Sequence, residues 1–553
     1  MISSVRYWSL MLLIILVYLA GMFVTLFEND SAQFAVMAMR MVQENDFLSL
    51  FKGPEAYLDK PHMHYWLAAL SFKLFGIHDW AYRLPGILAS LLAAYSTYGL
   101  GRLLYNKEVG KIAALIFMSA QTIVLSNIDV RTDAVLTGFT ILAIWQLASY
   151  IENQRLGNLL LGAFAAGVAF STKGQIALVV IGLPIVCHLT YTRKWNVLLH
   201  WKVVLALFTF AVTISPMLYA YYQQFDLHPE RLIRGRTNRS GILFVLWEQS
   251  FERLSGEGVG KNSSDYFFFF HTFLWVFLPW TIIGIAAYWA RLRSGIKVRF
   301  RKDTEREVLT AGGIGLIFLL ISFAQFKLPH YLNIIIPLFA VLSAAYVYRL
   351  QQNSKEKTLK RLLGGQFFIA GLVFVVTLLI CFYVFALQAW YWYIPLVVGY
   401  GVFGYFIFKK ELGYHRLITI SILASVLLNA VLNLHFYPQL LHYQGGSAMA
   451  AIVQEQKIPV DRIYKLSERH TWALDFYNQY PVKISSLDAI RSLEDVWIYA
   501  AEDELEGLQM EGIQWDKALS ADQFRITRLQ AKFLNPATRA SVVNKMFLLH
   551  KKQ

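Results

Sequence analysis

A chain of 553 residues in which 56% are hydrophobic and only 16% are charged is not a soluble globular protein, because soluble domains carry about a quarter charged residues. A mean hydropathy of +0.44 points instead to a chain that crosses a membrane many times. The net charge of +15 would raise nucleic acid as a partner in a soluble protein. In a membrane protein it reflects basic residues crowded into cytoplasmic loops, and no nucleic-acid partner is expected.

A helix needs about 20 apolar residues to span a bilayer. Thirteen such runs follow one another, at 7–27, 82–104, 109–126, 133–152, 157–172, 174–192, 202–222, 266–290, 308–326, 331–349, 366–387, 389–408 and 417–436. The first is too long for a signal-peptide core and no Ala-x-Ala site follows it, so it reads as a retained span. The fifth and sixth nearly fuse at Ser171-Thr172-Lys173-Gly174. Cys187 and Cys381 both lie inside apolar runs and offer neither a disulfide framework nor metal-ligand spacing.

Orientation follows from the short loops. With the N-terminus inside, the inner helix ends carry 23 basic residues and the short outer loops only Arg131, Lys173 and Lys327. Basic residues favour the cytoplasmic side, so the N-terminus is expected inside and, after thirteen spans, the C-terminus outside. The segment 28–81 is then an outer one. It is too apolar for a free loop and reads as two helices along the membrane surface, interrupted at Gly53-Pro54. The outer loop 223–265 is polar and basic, with Arg231, Arg234, Arg236, Arg239 and a Gly256-Glu257-Gly258 stretch, and reads as mobile. The Asn-x-Ser sequences at Asn238 and Asn262 lie on the same side. From about Gly445 strand-like runs (463–466, 482–484, 496–500) alternate with helical stretches (446–456, 470–479, 502–511). This spacing predicts a small α/β domain outside the membrane, without a phosphate-binding Gly-rich loop or a nucleophile elbow. The expected architecture is an all-α polytopic membrane domain over 1–440, followed by an extracytoplasmic α/β domain over 445–553.

Charge beside a bilayer is costly and therefore points to function, and the outer face gathers the informative charges. Asp30, before a helical run, suits an N-cap and also a general base acting on a hydroxyl. In Asp59-Lys60-Pro61-His62 the residue before proline is extended, so the Lys60 ammonium can project towards a phosphate; a lysine snorkelling at the interface is the plainer reading. His62 and His64 with Asp59 could hold a divalent cation, and Asp59, His62 and His330 are the candidate ligand set carried forward. Arg83, Lys173 and Lys327 each read alone as helix-end anchors; converging on the face with the acids, they suit a phosphate or diphosphate head group. Asp133, at the outer start of the fourth span, either complements the helix dipole, supports Asp30 or orders a cation.

Taken together, these motifs resemble the GT-C type membrane glycosyltransferases, in particular the protein O-mannosyltransferase and lipid A aminoarabinose transferase group. The resemblance rests on Asp30; Asp59-Lys60-Pro61-His62 with Tyr65-Trp66; Phe75-Gly76 and Arg83-Leu84-Pro85; Asp133; Thr172-Lys173-Gly174; and Lys327-Leu328-Pro329-His330-Tyr331. It covers the chain to about residue 440. There are departures: Ser31 follows Asp30 where an acid is usual, Gln33 stands where an arginine is common, and His62 replaces the second proline. The resemblance implies a sugar donor linked to polyprenyl phosphate and an acceptor hydroxyl on lipid A, protein or another glycan. The expected reaction is inverting, on the outer face of a bacterial inner membrane. Asp30 would take the hydroxyl proton, Asp133 would be the second catalytic acid, and Lys60, Arg83, Lys173, Lys327 and Tyr331 would hold the donor phosphate. No organic cofactor is implied; a divalent cation remains a candidate. Two other classes compete: a lipid or polysaccharide transporter, which should carry inverted repeats and a midplane site, and an O-antigen ligase-like enzyme of the same face. No repeat is visible in the chain.

Overall fold

The computed structural model describes all residues except 1, 232, 234–236, 250, 251, 253–261, 263, 264, 298–306, 390–392, 410–412 and 553. Much of the expected mobile loop, including Arg234, Arg236 and Gly256-Glu257-Gly258, lies outside the described residues.

The chain opens with α1 (Ser4–Gly21), whose first turn is closed by Ser3, the side chain accepting from the Arg6 amide. Two helices, α2 (Asp30–Gln43) and α3 (Met63–Phe75), follow, then α4 (Asp79–Leu104). Between α2 and α3 a hairpin pairs β1 (Phe51–Lys52) with β2 (Glu55–Ala56), and Gly53-Pro54 form its turn, the break expected from the sequence. Next come α5 (Lys107–Met118), α6 (Gln121–Ser126), α7 (Thr132–Asn153), α8 (Leu156–Lys173), α9 (Gln175–Thr192) and α10 (Lys202–Tyr221). Helices at 268–276, 281–297, 309–322, 336–352, 356–379, 393–408 and 414–431 complete the bundle. Small residues let membrane helices approach closely: a Cβ on Gly138 of α7 would come within 2.6 Å of the Ala89 carbonyl of α4.

Nine helices among the described residues are long and apolar enough to cross a membrane, and two shorter apolar ones occur at Leu309–Ser322 and Leu396–Phe408. The protein is an integral membrane protein. Among the described residues, two of the thirteen apolar runs are broken into separate helices by a non-helical stretch. The run at 109–126 divides at Ser119-Ala120, where the Ser119 carbonyl accepts from Ser425 Oγ at 2.7 Å. The run at 266–290 divides around Pro279, which has no amide to donate. The two breaks face each other. Gln121 N donates to Leu278 O at 2.9 Å, and Trp280 Nε1 donates to Ser119 Oγ at 2.9 Å. Backbone groups freed in lipid must find partners inside the protein, and here one interrupted helix supplies them to the other.

The C-terminal part carries a five-stranded mixed sheet in the order β4-β3-β5-β7-β6, formed by β3 (Ile463–Lys465), β4 (Lys483–Ile484), β5 (Val496–Ala501), β6 (Lys517–Gln523) and β7 (Asn544–Lys551). β3 runs parallel to β4 and β5, and β7 pairs antiparallel with β5 and β6. Every residue of β5 is buried, as its continuous apolar run demands of a central strand. The antiparallel β6 and β7 are additions to the α/β pattern read from the sequence.

Candidate active site

Helix starts deliver two of the acidic groups, Asp30 and Asp133. Asn29 occupies the N-cap position of α2, although its side chain caps nothing, and Asp30 is the first helical residue. The N-cap reading of Asp30 is therefore displaced by one position. The Asp30 carboxylate complements the helix dipole and is 43% exposed, with Oδ2 2.8 Å from Arg131 Nη1. Arg131 stands just before α7. Its Nε and Nη2 both reach Asp129 Oδ2, at 3.1 and 2.8 Å. One guanidinium thus joins two carboxylates. Burial works against its charge, but Asp129 and Asp30 prevail and hold its pKa above the ordinary arginine value.

Asp133, the second residue of α7, is buried. Its Oδ1 accepts from Lys173 Nζ at 2.6 Å, and its Oδ2 lies 3.6 Å from His330 Nε2. Lys173 ends α8, where a cation meets the negative helix terminus, and its Nζ lies 4.6 Å from the Tyr331 ring centroid. The chain then turns at Gly174, with φ at +71°, into α9. A Cβ there would stand 2.6 Å from Gln249 Oε1. The Gln249 amide also donates to the Asp59 carbonyl at 2.5 Å, and Gln175 Nε2 donates to Val245 O at 2.8 Å. The Thr172-Lys173-Gly174 corner is thereby tied to the Asp59-Lys60 stretch. The Lys60 ammonium acts electrostatically on Asp133 and His330.

A cavity of about 390 Å³ opens onto this corner. Its polar end holds Asp133, Lys173, Gln175, Gln249 and Tyr331; its walls are apolar, among them Leu136, Ile176, Val179, Leu320, Ile321 and Ile334. An apolar trough ending on a buried ammonium suits a ligand with a hydrocarbon body and an anionic head.

Two expected phosphate partners lie elsewhere. Arg83 is fully buried and donates to three backbone carbonyls, Ile128 at 2.9 Å, Met22 at 3.0 Å and Thr25 at 3.3 Å. It ties the end of α1 to α4 and to the loop before α7. Lys327 Nζ donates to the Asp265 carbonyl at 2.9 Å, and the Lys327 backbone exchanges two 2.7 Å hydrogen bonds with the Asn262 side chain. Neither lines the cavity.

The metal ligand set is also revised. His62 Nε2 donates to the Leu48 carbonyl at 2.9 Å, with its ring against Trp66 and Tyr221. Burial pushes its pKa down to about 4, so it is neutral at physiological pH. His64 Nε2 lies 3.0 Å from the Tyr82 hydroxyl, which itself donates to Val130 O at 3.1 Å; burial holds this histidine at about 4 as well. Asp59, His62 and His330 are not gathered on one point, and among the described residues no three His, Cys, Asp or Glu side chains are grouped to hold a metal ion.

Two participants went unmarked. Arg131 entered only as one of three outer-loop cations, although its Asp129-Val130-Arg131 spacing was a signal for the guanidinium–carboxylate pair. Gln249 carries no local signal at all. Gln33, at the position of the absent arginine, is buried beside Met37.

The fold defines a class: the chain has the fold of the GT-C type membrane glycosyltransferases, and the resemblance drawn from its motifs is borne out. Residues 59–219 match the family described as dolichyl-phosphate-mannose-protein mannosyltransferase. The chain is 24% identical over 362 residues to an undecaprenyl phosphate-alpha-4-amino-4-deoxy-L-arabinose arabinosyl transferase of Proteus mirabilis, covering 64% of this chain and 61% of that protein. A transferase of the same description from Edwardsiella ictaluri is 24% identical over 366 residues, with 64% and 61% covered. The chain thus spans about three fifths of the length of these relatives. The crystal structure of ArnT from Cupriavidus metallidurans bound to undecaprenyl phosphate matches with a TM-score of 0.72, at 16% identity and 97% coverage of both chains.

Proposed function

We propose that this protein transfers a sugar from a polyprenyl-phosphate donor to an acceptor hydroxyl, with inversion, on the outer face of a bacterial inner membrane. The observation that carries the reading is the apolar cavity ending on the buried Asp133–Lys173 pair and Tyr331. Curated relatives named for an undecaprenyl-phosphate donor support it. In the reaction the acceptor oxygen attacks the anomeric carbon, the bond from that carbon to the phosphate oxygen breaks, and polyprenyl phosphate leaves. Asp30, half open to solvent and oriented by Arg131, takes the hydroxyl proton. Lys173 and Lys60 stabilise the charge that gathers on the departing phosphate. Arg83 and Lys327 serve the site by holding backbone. A transporter would centre its polar site at the bilayer midplane, whereas these charges sit at helix ends.

The test is to reconstitute the protein in liposomes with undecaprenyl phosphate carrying 4-amino-4-deoxy-L-arabinose or mannose, and to offer lipid A, a serine-rich peptide and an oligosaccharide as acceptors. Mass spectrometry should find one glycosylated acceptor and free undecaprenyl phosphate. Movement of the intact donor between leaflets without any product would overturn the proposal in favour of transport.

A further inference from the structure

Leu26 and Glu28, just ahead of α2, are held by residues of the C-terminal part. Leu26 N donates to the Tyr477 hydroxyl at 2.8 Å, and Leu26 O accepts from Gln444 Nε2 at 2.8 Å. Glu28 N donates to Gln444 Oε1, also at 2.8 Å, and Glu28 Oε2 accepts from the Ala473 amide at 3.2 Å. Gln444 is buried, and its amide group spans Leu26 and Glu28 as a neighbouring β-strand would. The close approach is built in: a Cβ on Gly446 would lie 2.7 Å from Glu28 Oε2. Behind these bonds, Trp472, Ala473 and Phe476 pack in one apolar cluster with Leu26, Ala32 and Met39. Asp30 is two residues beyond Glu28, and Ala32 N still bonds Phe27 O at 2.9 Å, so the held segment runs directly into the turn that carries the carboxylate.

We infer that the C-terminal part sets the position of Asp30 through Gln444 and Tyr477, making these two positioning residues for the transfer step. The inference rests on the reading of Asp30 as the base. Four hydrogen bonds on Leu26 and Glu28 exceed what a mere docking contact requires, and all of them reach the segment leading to the carboxylate rather than the cavity. Loosening them changes where Asp30 stands and leaves the donor trough intact. Small misplacements of a reacting group cost up to about a hundredfold in rate.

The experiment compares Gln444→Ala, Tyr477→Phe and Asp30→Asn in liposomes, with undecaprenyl-phosphate 4-amino-4-deoxy-L-arabinose as donor and lipid A as acceptor. Hydrogen–deuterium exchange of residues 24–34 is followed alongside. Gln444→Ala should lower kcat by roughly tenfold or more, leave the donor KM within about twofold and speed exchange in this peptide. Tyr477→Phe, which removes one acceptor without altering packing, should do the same more weakly, and it covers the case in which Gln444→Ala fails to fold. In an Asp30→Asn background neither change should lower kcat further. Unchanged exchange, a rise in KM alone, or the same loss of kcat in both backgrounds would overturn the inference while leaving an impaired Asp30→Asn, and hence the base assignment, intact. An Asp30→Asn protein of normal rate would overturn both.

Discussion

Asp30 and Asp133 each stand in the first turn of a helix, yet one side chain is 43% exposed and the other 3%. In the proposed reaction the exposed one takes the proton of an incoming hydroxyl; the buried one is paired with Lys173. Asp30→Asn should therefore cut transfer by about 10²–10⁴-fold, with binding of undecaprenyl phosphate unchanged in a thermal-shift titration. Transfer at the normal rate would pass the role of base to Asp133. Lys173→Met leaves the Asp133 carboxylate buried without its ammonium, a change that costs about 3–5 kcal/mol, and a lower melting temperature should report it. Adding Asp133→Leu should restore stability without restoring transfer. Glu28 allows a pH prediction. Burial, assisted by the nearby Asp475 carboxylate, raises its pKa to about 8, and burial raises Asp475 to about 7. Both folded-state values lie above the ordinary carboxylate range, so the native state holds more protons than the unfolded chain between that range and pH 8. Stability must then fall as pH rises through this window. The melting temperature should be lower at pH 8.5 than at pH 6, and Glu28→Gln should flatten part of that slope.

At the scale of elements, the corner between α8 and α9 shows how a glycine can serve a site. Gly174→Ala meets both a backbone conformation that is essentially glycine's alone, at which a β-carbon costs about 1–3 kcal/mol, and the Gln249 side chain. The variant should bind undecaprenyl phosphate more weakly, because relief of the clash displaces Gln249 from the polar end of the cavity; unchanged affinity would separate the corner from donor binding. The same scale shows what the chain made legible. Long apolar runs announced most of the helices, because hydropathy acts locally, and Gly53-Pro54 announced the hairpin turn. The divisions at Ser119 and Pro279 were not legible as a pair, since each depends on the other across more than 150 positions of sequence. Arg83 was visible as a cation at a helix mouth, but nothing local foretells that the carbonyls of Met22, Thr25 and Ile128 converge on it. Lys327 was misleading in the same way. The site set came from a pattern of motifs as a whole, and the structure brings Asp133, Lys173 and Tyr331 to one cavity while spending Arg83 and Lys327 on backbone.

For the whole molecule, the segments expected outside the cytosol meet at one end of the bundle. Asp30 pairs with Arg131, Lys173 with Asp133, Gln249 with Asp59, and Gln444 with Leu26 and Glu28. The far end of α4 has its own polar set, in which the Tyr105 hydroxyl donates to Glu307 at 2.7 Å. A reporter active only outside the cytosol should work when fused after Gly445 and fail when fused at Ser294. Silence after Gly445 would contradict the expected outer placement of the C-terminal part, and activity at Ser294 the expected inner placement of that loop. The cavity walls carry a kinetic corollary of the proposed function. If a polyprenyl-phosphate donor enters along Ile176, Val179 and Leu320, it travels in the plane of the bilayer, and transfer should respond to the donor's mole fraction among lipids and not to its amount per volume of solution. Adding inert phospholipid at constant bulk donor should slow the reaction in proportion to the dilution, until each proteoliposome waits on two-dimensional encounter.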